Sequence, residues 1–339
     1  MPHAALLALW LLAGFAIGCA STSMARRYAL RRQLIDQPGE RRSHHAATPR
    51  GGGISIVIVL LLAAAALAVA VPGHLPSIAL ATGGFALVAG IGWIDDHRPL
   101  SPLLRLCVHV FAAALLSVAL GLEGGGWEDM ATAFVAAVVL ANVWNFMDGI
   151  DGIAASQAIL VAAAWALFVG EGPVLWIGLA LAAGACGFLP FNFPRARIFL
   201  GDVGSGALGY ALAALLALAS MHRGFDGRVL LLLPLLPFLL DASLTLLARM
   251  VRGEAWWRPH VQHAYQAWAR RAGSHAVVTL AYAIAALVAV LAMFAMHSWS
   301  SAVIMSTYVM FTAAGGLAWM LLRERSVRDT PDSLRDGKP

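Results

Sequence analysis

Apolar residues along this chain fall in long unbroken runs, without the alternation of a half-buried strand or the one-faced stripe of a surface helix. Eleven such runs, at about 4–24, 53–72, 77–95, 102–121, 129–147, 155–170, 173–191, 203–221, 229–249, 276–296 and 300–322, are each about 17 to 23 residues long. A helix of that length, rising about 1.5 Å per residue, crosses a hydrocarbon core of ~30 Å. The pattern predicts an all-α polytopic integral membrane protein with about eleven transmembrane helices. Residues 1–322 then form a single transmembrane domain, and 323–339 a polar tail.

Composition agrees with this reading, since 60% of residues are hydrophobic and only 12% charged, about half the charge of an average soluble protein. That balance excludes a water-soluble enzyme, a nucleic-acid-binding domain and a disulfide scaffold. The three cysteines, Cys19, Cys107 and Cys186, lie inside apolar runs and are expected as small core residues. The first run has no basic segment before it and is followed at once by Arg26-Arg27 and Arg31-Arg32, which predicts a retained helix rather than a cleaved leader.

Basic residues set the expected orientation. With the N-terminus outside, 21 of the 23 lysines and arginines fall in or beside segments 25–52, 96–101, 148–154, 192–202, 250–275 and 323–339, leaving Arg223 and Arg228 on the other side. Those six segments are therefore expected in the cytoplasm, with the C-terminus. Under this topology Asp95, Asp96, Asp148, Asp151 and Asp202 all sit at cytoplasmic helix ends. Carboxylates near lipid are costly, so five at one depth point to one site.

The residues around them suggest its chemistry. Asn142-Val-Trp-Asn145-Phe-Met-Asp148-Gly-Ile-Asp151-Gly sets hard oxygen ligands three residues apart beside glycines, which suits Mg²⁺. Phe199-Leu-Gly201-Asp202-Val-Gly-Ser205-Gly opens the next span, so its helix N-terminal amides are expected to face an anion; diphosphate with Mg²⁺ is the natural ligand. In Asp95-Asp96-His-Arg98…Arg105, one carboxylate of a like-charged pair is a candidate base and the arginines candidate phosphate holders, the alternative being an acid pair that neutralises Arg98 and Arg105. His260 and His263 in the long fifth loop suit a phosphate, a sugar, a metal or an interface, although zinc lacks a third ligand at matching spacing. Loop 35–53, with its arginines, histidines and Gly51-Gly-Gly triplet, suits phosphate contacts and lipid headgroups equally.

In order and placement these motifs resemble the polyprenyl-phosphate N-acetylhexosamine-1-phosphate transferases of the MraY and WecA type. The resemblance runs from Asp36-x-Pro38…Thr48-Pro-x-Gly-Gly through Asp95-Asp96, Asn142-x-x-Asn145-x-x-Asp148-Gly-x-Asp151-Gly and Phe199-x-Gly-Asp202-x-Gly-Ser205 to the histidine loop. It implies that Asp202, with Asn145, holds Mg²⁺ (or Mn²⁺ in its place) on a nucleotide diphosphate, that Asp151 lies near the uracil, and that Asp148 supports the metal region. It further implies that Asp95 and Asp96 serve a lipid phosphate, Asp95 as base, and that Asn142, Arg105, Gly201, Ser205, His260 and His263 contact substrate. The implied partners are undecaprenyl phosphate, a UDP-N-acetylhexosamine and membrane lipid, with no nucleic acid and a homodimer left open. The implied location is the bacterial inner membrane.

Departures refine the resemblance. The peptidoglycan branch carries a triple histidine and a lysine four residues after the first Asp, where this chain has single His260 and His263 and Pro99. His-x-x-His-x-Tyr-Gln is more similar to the branch that begins O-antigen and related surface glycans. Asp241, deep in the ninth span beyond Pro234 and Pro237, is expected to be structural. A secondary transporter would need a midplane site in repeated halves, and no second Asn/Asp motif occurs; an inactive scaffold would have lost acidic residues that are all present.

Overall fold

A computed structural model describes residues 3–37, 47–255 and 260–328, with side chains up to Arg323. The remainder of the first loop (38–46, including Pro38, His44 and His45), residues 256–259 and the tail beyond 328 lie outside the described residues. The chain is a bundle of helices: α1 (His3–Arg31), α2 (Ile54–Ala70), α3 (Leu75–His97), α4 (Pro102–Leu122), α5 (Trp127–Met147), α6 (Ile153–Val169), α7 (Gly172–Asn192), α8 (Asp202–Ser220), α9 (Phe225–Leu232), α10 (Leu236–Val251), α11 (Ala264–Ala272), α12 (His275–Met296) and α13 (Ser301–Arg328). A two-residue antiparallel pair, β1 (Ile35–Asp36) with β2 (Thr48–Pro49), closes the first loop.

Among the described residues, nine helical stretches are long and apolar enough to cross a membrane. The second and sixth predicted spans are apolar helices of 17 residues, about 26 Å and slightly short of the hydrocarbon thickness. The protein is thus an all-α, multi-pass membrane protein. Boundaries differ from the sequence reading where helices outrun the apolar stretch: α1 continues to Arg31 and α13 to Arg328. The ninth span is not one helix, because Pro234 and Pro237 deny the ladder two N–H groups and a 3-10 turn at Leu233–Leu235 separates α9 from α10. The fifth loop contains α11.

Helix α8 lies at the centre, packed on α3 and α5, and almost every one of its residues is buried. Small residues make this approach feasible. A side chain at Gly209 would collide with the Leu140 carbonyl of α5, and one at Gly92 with the backbone of Asp202. The Tyr210 hydroxyl donates to the carbonyls of Ala112 (3.2 Å) and Ala81 (3.3 Å), tying α8 to α4 and α3. Of the cysteines, all free, Cys107 departs from its expected core place: it is exposed on α4, on a surface whose Leu103 and Phe111 face outward to lipid.

Candidate active site

The end of α3, the end of α5, the start of α8 and the turn between α5 and α6 meet at one end of the bundle and bring Asp95, Asp96, Asp148, Asp151 and Asp202 together. Asp202 is the hub. Its Oδ1 accepts a hydrogen bond from the Asn145 amide nitrogen, which also donates to Ser205 Oγ at 2.9 Å. On the other side Arg105 Nη1 lies 3.5 Å from Asp202 Oδ2 and 3.0 Å from Asp95 Oδ2, so one guanidinium bridges two carboxylates. Asp95 Oδ1 accepts from the Leu100 N–H at the turn into α4.

Asp96 has a different task from Asp95. It is 1% exposed, and its two oxygens accept from the backbone N–H groups of Asp202 and Val203, each at 3.1 Å. The next two amides, Gly204 and Ser205, donate to the Gly201 carbonyl. All four amides at the start of α8 are therefore satisfied within the protein, which corrects the expectation that they face a ligand anion. Asp96 caps α8 and so fixes the position of Asp202. Arg50, 4.0 Å from Asp96, partly balances its charge. The glycine triplet is also engaged, Gly52 and Gly53 donating to the carbonyls of Phe199 and Leu200.

Gly201 makes this turn with φ +76° and ψ 170°, a region essentially reserved for glycine. A Cβ there would lie 2.6 Å from Asp96 Oδ2 and 2.8 Å from the Gly51 nitrogen. Gly201→Ala is expected to cost about 3 kcal/mol or more from backbone strain plus displacement of the cap; a lowered thermal midpoint, with activity falling in parallel, is the check.

Asp148 follows the last turn of α5, and among the described residues its carboxylate receives no hydrogen bond. Burial, followed by the charges of Asp202, Asp96 and Asp151, pushes its carboxyl well above the usual carboxylate range. Three carboxylates, Asp95, Asp96 and Asp202, thus face two guanidinium groups, Arg50 and Arg105, with the buried Asp148 carboxyl nearby, which is a setting for a divalent cation. No three His, Cys, Asp or Glu side chains among the described residues converge to cage an ion. The residues fit an ion that takes one or two protein oxygens and completes its shell with phosphate and water, the habit of Mg²⁺. Asp202, and the amide oxygen of Asn145 left outside its two hydrogen bonds, are the protein atoms suited to hold it.

The other expected residues sit around this hub. Asn142 lies one turn back along α5 and donates to the Val138 carbonyl at 2.7 Å, so its amide nitrogen is spent within its own helix. Asp151 accepts from the Ala196 N–H (3.2 Å) and lies 3.3 Å from His275 Nδ1, while its carbonyl accepts from Thr279. His275, the first residue of α12, was not singled out from sequence; only its place at a span boundary hinted at it.

The histidine loop packs against the α5–α6 turn. His263 is 2% exposed, stacks on Phe146 with ring centroids 6.3 Å apart, and lies 3.6 Å from Asp241. It supports the loop from behind, a correction to its expected substrate contact, because the ring reaches no open surface. His260 is the more open of the two, with its ring centroid 4.9 Å from that of His263. Tyr265 donates to the Phe146 carbonyl at 3.0 Å and its hydroxyl abuts Gly149.

Burial, the neighbouring His263 and the charges of Arg249 and Arg323 hold the His260 imidazole down at about 4. An unfolded histidine titrates near pH 6.5. The unfolded chain therefore takes up a proton that the fold refuses, and stability falls as pH drops from about 6.5 towards 4. Between pH 7 and 5 the wild type is expected to lose more of its thermal midpoint than His260→Gln does.

Comparison with known proteins places this geometry. Residues 78–220, spanning the carboxylate hub, match the family described as glycosyl transferase family 4. The chain is 30% identical over 304 residues, 77% of itself and 75% of the relative, to decaprenyl-phosphate N-acetylglucosaminephosphotransferase of Mycobacterium tuberculosis. It is 28% identical over 218 residues, 60% of each chain, to a probable undecaprenyl-phosphate N-acetylglucosaminyl 1-phosphate transferase of Bacillus subtilis. To phospho-N-acetylmuramoyl-pentapeptide-transferase of Moorella thermoacetica it is 35% identical over 203 residues, 51% of this chain and 63% of that one. The first two of these names differ in the polyprenyl carrier and the third in the sugar, and the chain belongs with them to the polyprenyl-phosphate N-acetylhexosamine-1-phosphate transferases of glycosyl transferase family 4.

Proposed function

We propose that the protein transfers N-acetylhexosamine 1-phosphate from a UDP-sugar (UDP-GlcNAc, UDP-GalNAc or a 6-deoxy relative) to undecaprenyl phosphate at the cytoplasmic face of a bacterial inner membrane. The products are polyprenyl-diphospho-sugar and UMP, the first lipid-linked intermediate of an O-antigen or related surface glycan. One observation carries this reading: a membrane-boundary cluster in which Arg105 bridges Asp95 and Asp202 while Asn145, which also donates to Ser205, donates to Asp202 from the other side. One substrate is too apolar to leave the bilayer and the other too polar to enter it, so the chemistry belongs at this depth.

In the proposed reaction an oxygen of the lipid phosphate attacks the β-phosphorus of the UDP-sugar. A new P–O bond forms, the bond to the α-phosphate oxygen breaks, and UMP leaves. Asp95 takes the proton of a singly ionised lipid phosphate. Arg105 steadies both Asp95 and the transferring phosphoryl group. Mg²⁺ supplies neutralisation of the diphosphate charge, with Asp202 and Asn145 as its protein ligands. Asp96 and Gly201 keep Asp202 in register, and His260 and Asp151 border the donor on the sugar and base sides.

Arg105→Gln is expected to lower kcat/KM by about 10²-fold, and Arg105→Lys to restore part of it, because a single nitrogen, Nη1, makes both carboxylate contacts and an ammonium keeps the charge. The donor is tested by incubating purified protein with undecaprenyl phosphate, Mg²⁺ and each UDP-sugar in turn. Formation of one lipid-linked sugar supports the reading and names the donor; no product from any, in folded protein, contradicts it.

A further inference from the structure

A cavity of about 280 Å³ lies on the face of the histidine-loop helix away from the α5–α6 turn, lined by Arg252, Arg270 and Arg323 with Glu254 and Gln262. Glu254 is its single carboxylate among the described residues, and it is fully engaged. Its Oε1 is 2.8 Å from Arg252, and its Oε2 accepts from Gln262 at 3.1 Å and lies 3.5 Å from Arg249. Arg249 itself is 5% exposed and donates from Nη2 to the Ala255 carbonyl at 2.9 Å, while its Nε finds no hydrogen-bond acceptor among the described residues. Arg270 spends one nitrogen on the Val261 carbonyl, and Arg323 stacks over Trp319 at 4.7 Å with no carboxylate partner among the described residues. Three guanidinium groups, those of Arg252, Arg270 and Arg323, thus line a cavity that holds one carboxylate, itself already shared between Arg249 and Arg252. Isolated arginines at a membrane boundary extend separately into water; here they enclose a concave site whose surplus positive charge asks for an anion.

The surroundings identify what presents that anion. Immediately beside the cavity, α10 turns Leu247, Met250 and Val251 outward, Val251 being 80% exposed, and α13 does the same with Leu317, Met320 and Leu321. A ligand filling this place therefore needs a phosphate for the arginines and hydrocarbon for the two helix faces. We infer that this cavity binds the phosphodiester headgroup of an anionic membrane phospholipid, with its acyl chains along α10 and α13. Because α11 forms one wall of the cavity through Ala267 and Arg270 and touches the α5–α6 turn through Tyr265, such a lipid steadies the histidine loop from outside.

The test uses the full chain in a neutral detergent, with thermal unfolding and native mass spectrometry as readouts. Phosphatidylglycerol is expected to raise the thermal midpoint by several degrees and to be retained as a bound lipid, as ligand linkage requires. Phosphatidylcholine at the same concentration should do neither. Arg323→Gln, and separately the double variant Arg270→Gln with Arg323→Gln, should weaken phosphatidylglycerol retention about tenfold. Both should keep transferase activity in detergent within about twofold, since neither residue belongs to the carboxylate hub. Equal effects of the two lipids, or a phosphatidylglycerol effect untouched by Arg323→Gln, would overturn the inference. A matching shift from inorganic phosphate alone would overturn the lipid as its source and assign the cavity to a soluble phosphate.

Discussion

Asp202→Asn is expected to lower kcat by about 10²–10³-fold, roughly 3–4 kcal/mol of lost transition-state stabilisation, while leaving the fold intact. The amide has nearly the shape of the carboxylate, and its oxygen still accepts from Asn145. The cap on α8 is untouched, because Asp96 binds the Asp202 backbone rather than its side chain. What disappears is the negative charge beside Arg105, which is also the charge best placed to hold a cation on the diphosphate. The signature is a severe loss of rate with an unchanged thermal midpoint and a raised Mg²⁺ requirement. A variant with near wild-type turnover would remove Asp202 from the chemistry. By contrast, Asp96→Asn should lower stability as well as rate, since the Asp202 and Val203 N–H groups bond to different oxygens of Asp96 and the amide puts a donor NH2 in place of one of them.

Asp241→Ala is expected to cost about 3–5 kcal/mol of stability, more than any surface change in this protein. The carboxylate is 3% exposed and accepts from the backbone N–H groups of Ala264 (2.8 Å) and Tyr265 (3.0 Å), the Tyr282 hydroxyl (2.7 Å) and Thr245 Oγ1 (3.2 Å). Truncation strands those donors in a dry interior and frees the start of α11. Activity should fall further than stability alone explains, because Tyr265 then no longer braces the α5–α6 turn that carries Asp148. Thermal unfolding and turnover measured on Asp241→Ala and Tyr282→Phe separate the two effects. Tyr282→Phe removes one donor and one hydrogen bond, and should cost only about 1 kcal/mol.

Much of this was legible in the chain. Runs of apolar residues locate the helices because lipid leaves the backbone few alternatives. Acidic residues at run ends announce the hub because each one is expensive there. What stayed hidden depends on contacts between distant segments. The spacing of Asp95-Asp96 to Arg105 allows the ion pair that Asp95 makes, but nothing there says that Asp96 caps a helix about a hundred residues later. The anion-binding reading of the α8 N-terminus was reasonable locally and failed because Asp96 arrives there first. His263 looked like a ligand contact by its spacing to His260, yet it is the residue just before α11 and is buried against Phe146. Pro234 and Pro237 marked the break between α9 and α10 in plain view, whereas α11 was concealed by its short length and polar composition.

The nucleotide released during turnover tests the central claim most directly. Purified protein, undecaprenyl phosphate, Mg²⁺ and the accepted UDP-sugar are incubated together and the soluble product is identified by mass. If the carboxylate hub directs attack at the β-phosphorus, UMP appears in step with a lipid diphospho-sugar, and both vanish in Asp202→Asn. Release of UDP with a lipid monophospho-sugar would place the attack at the sugar carbon and contradict the account.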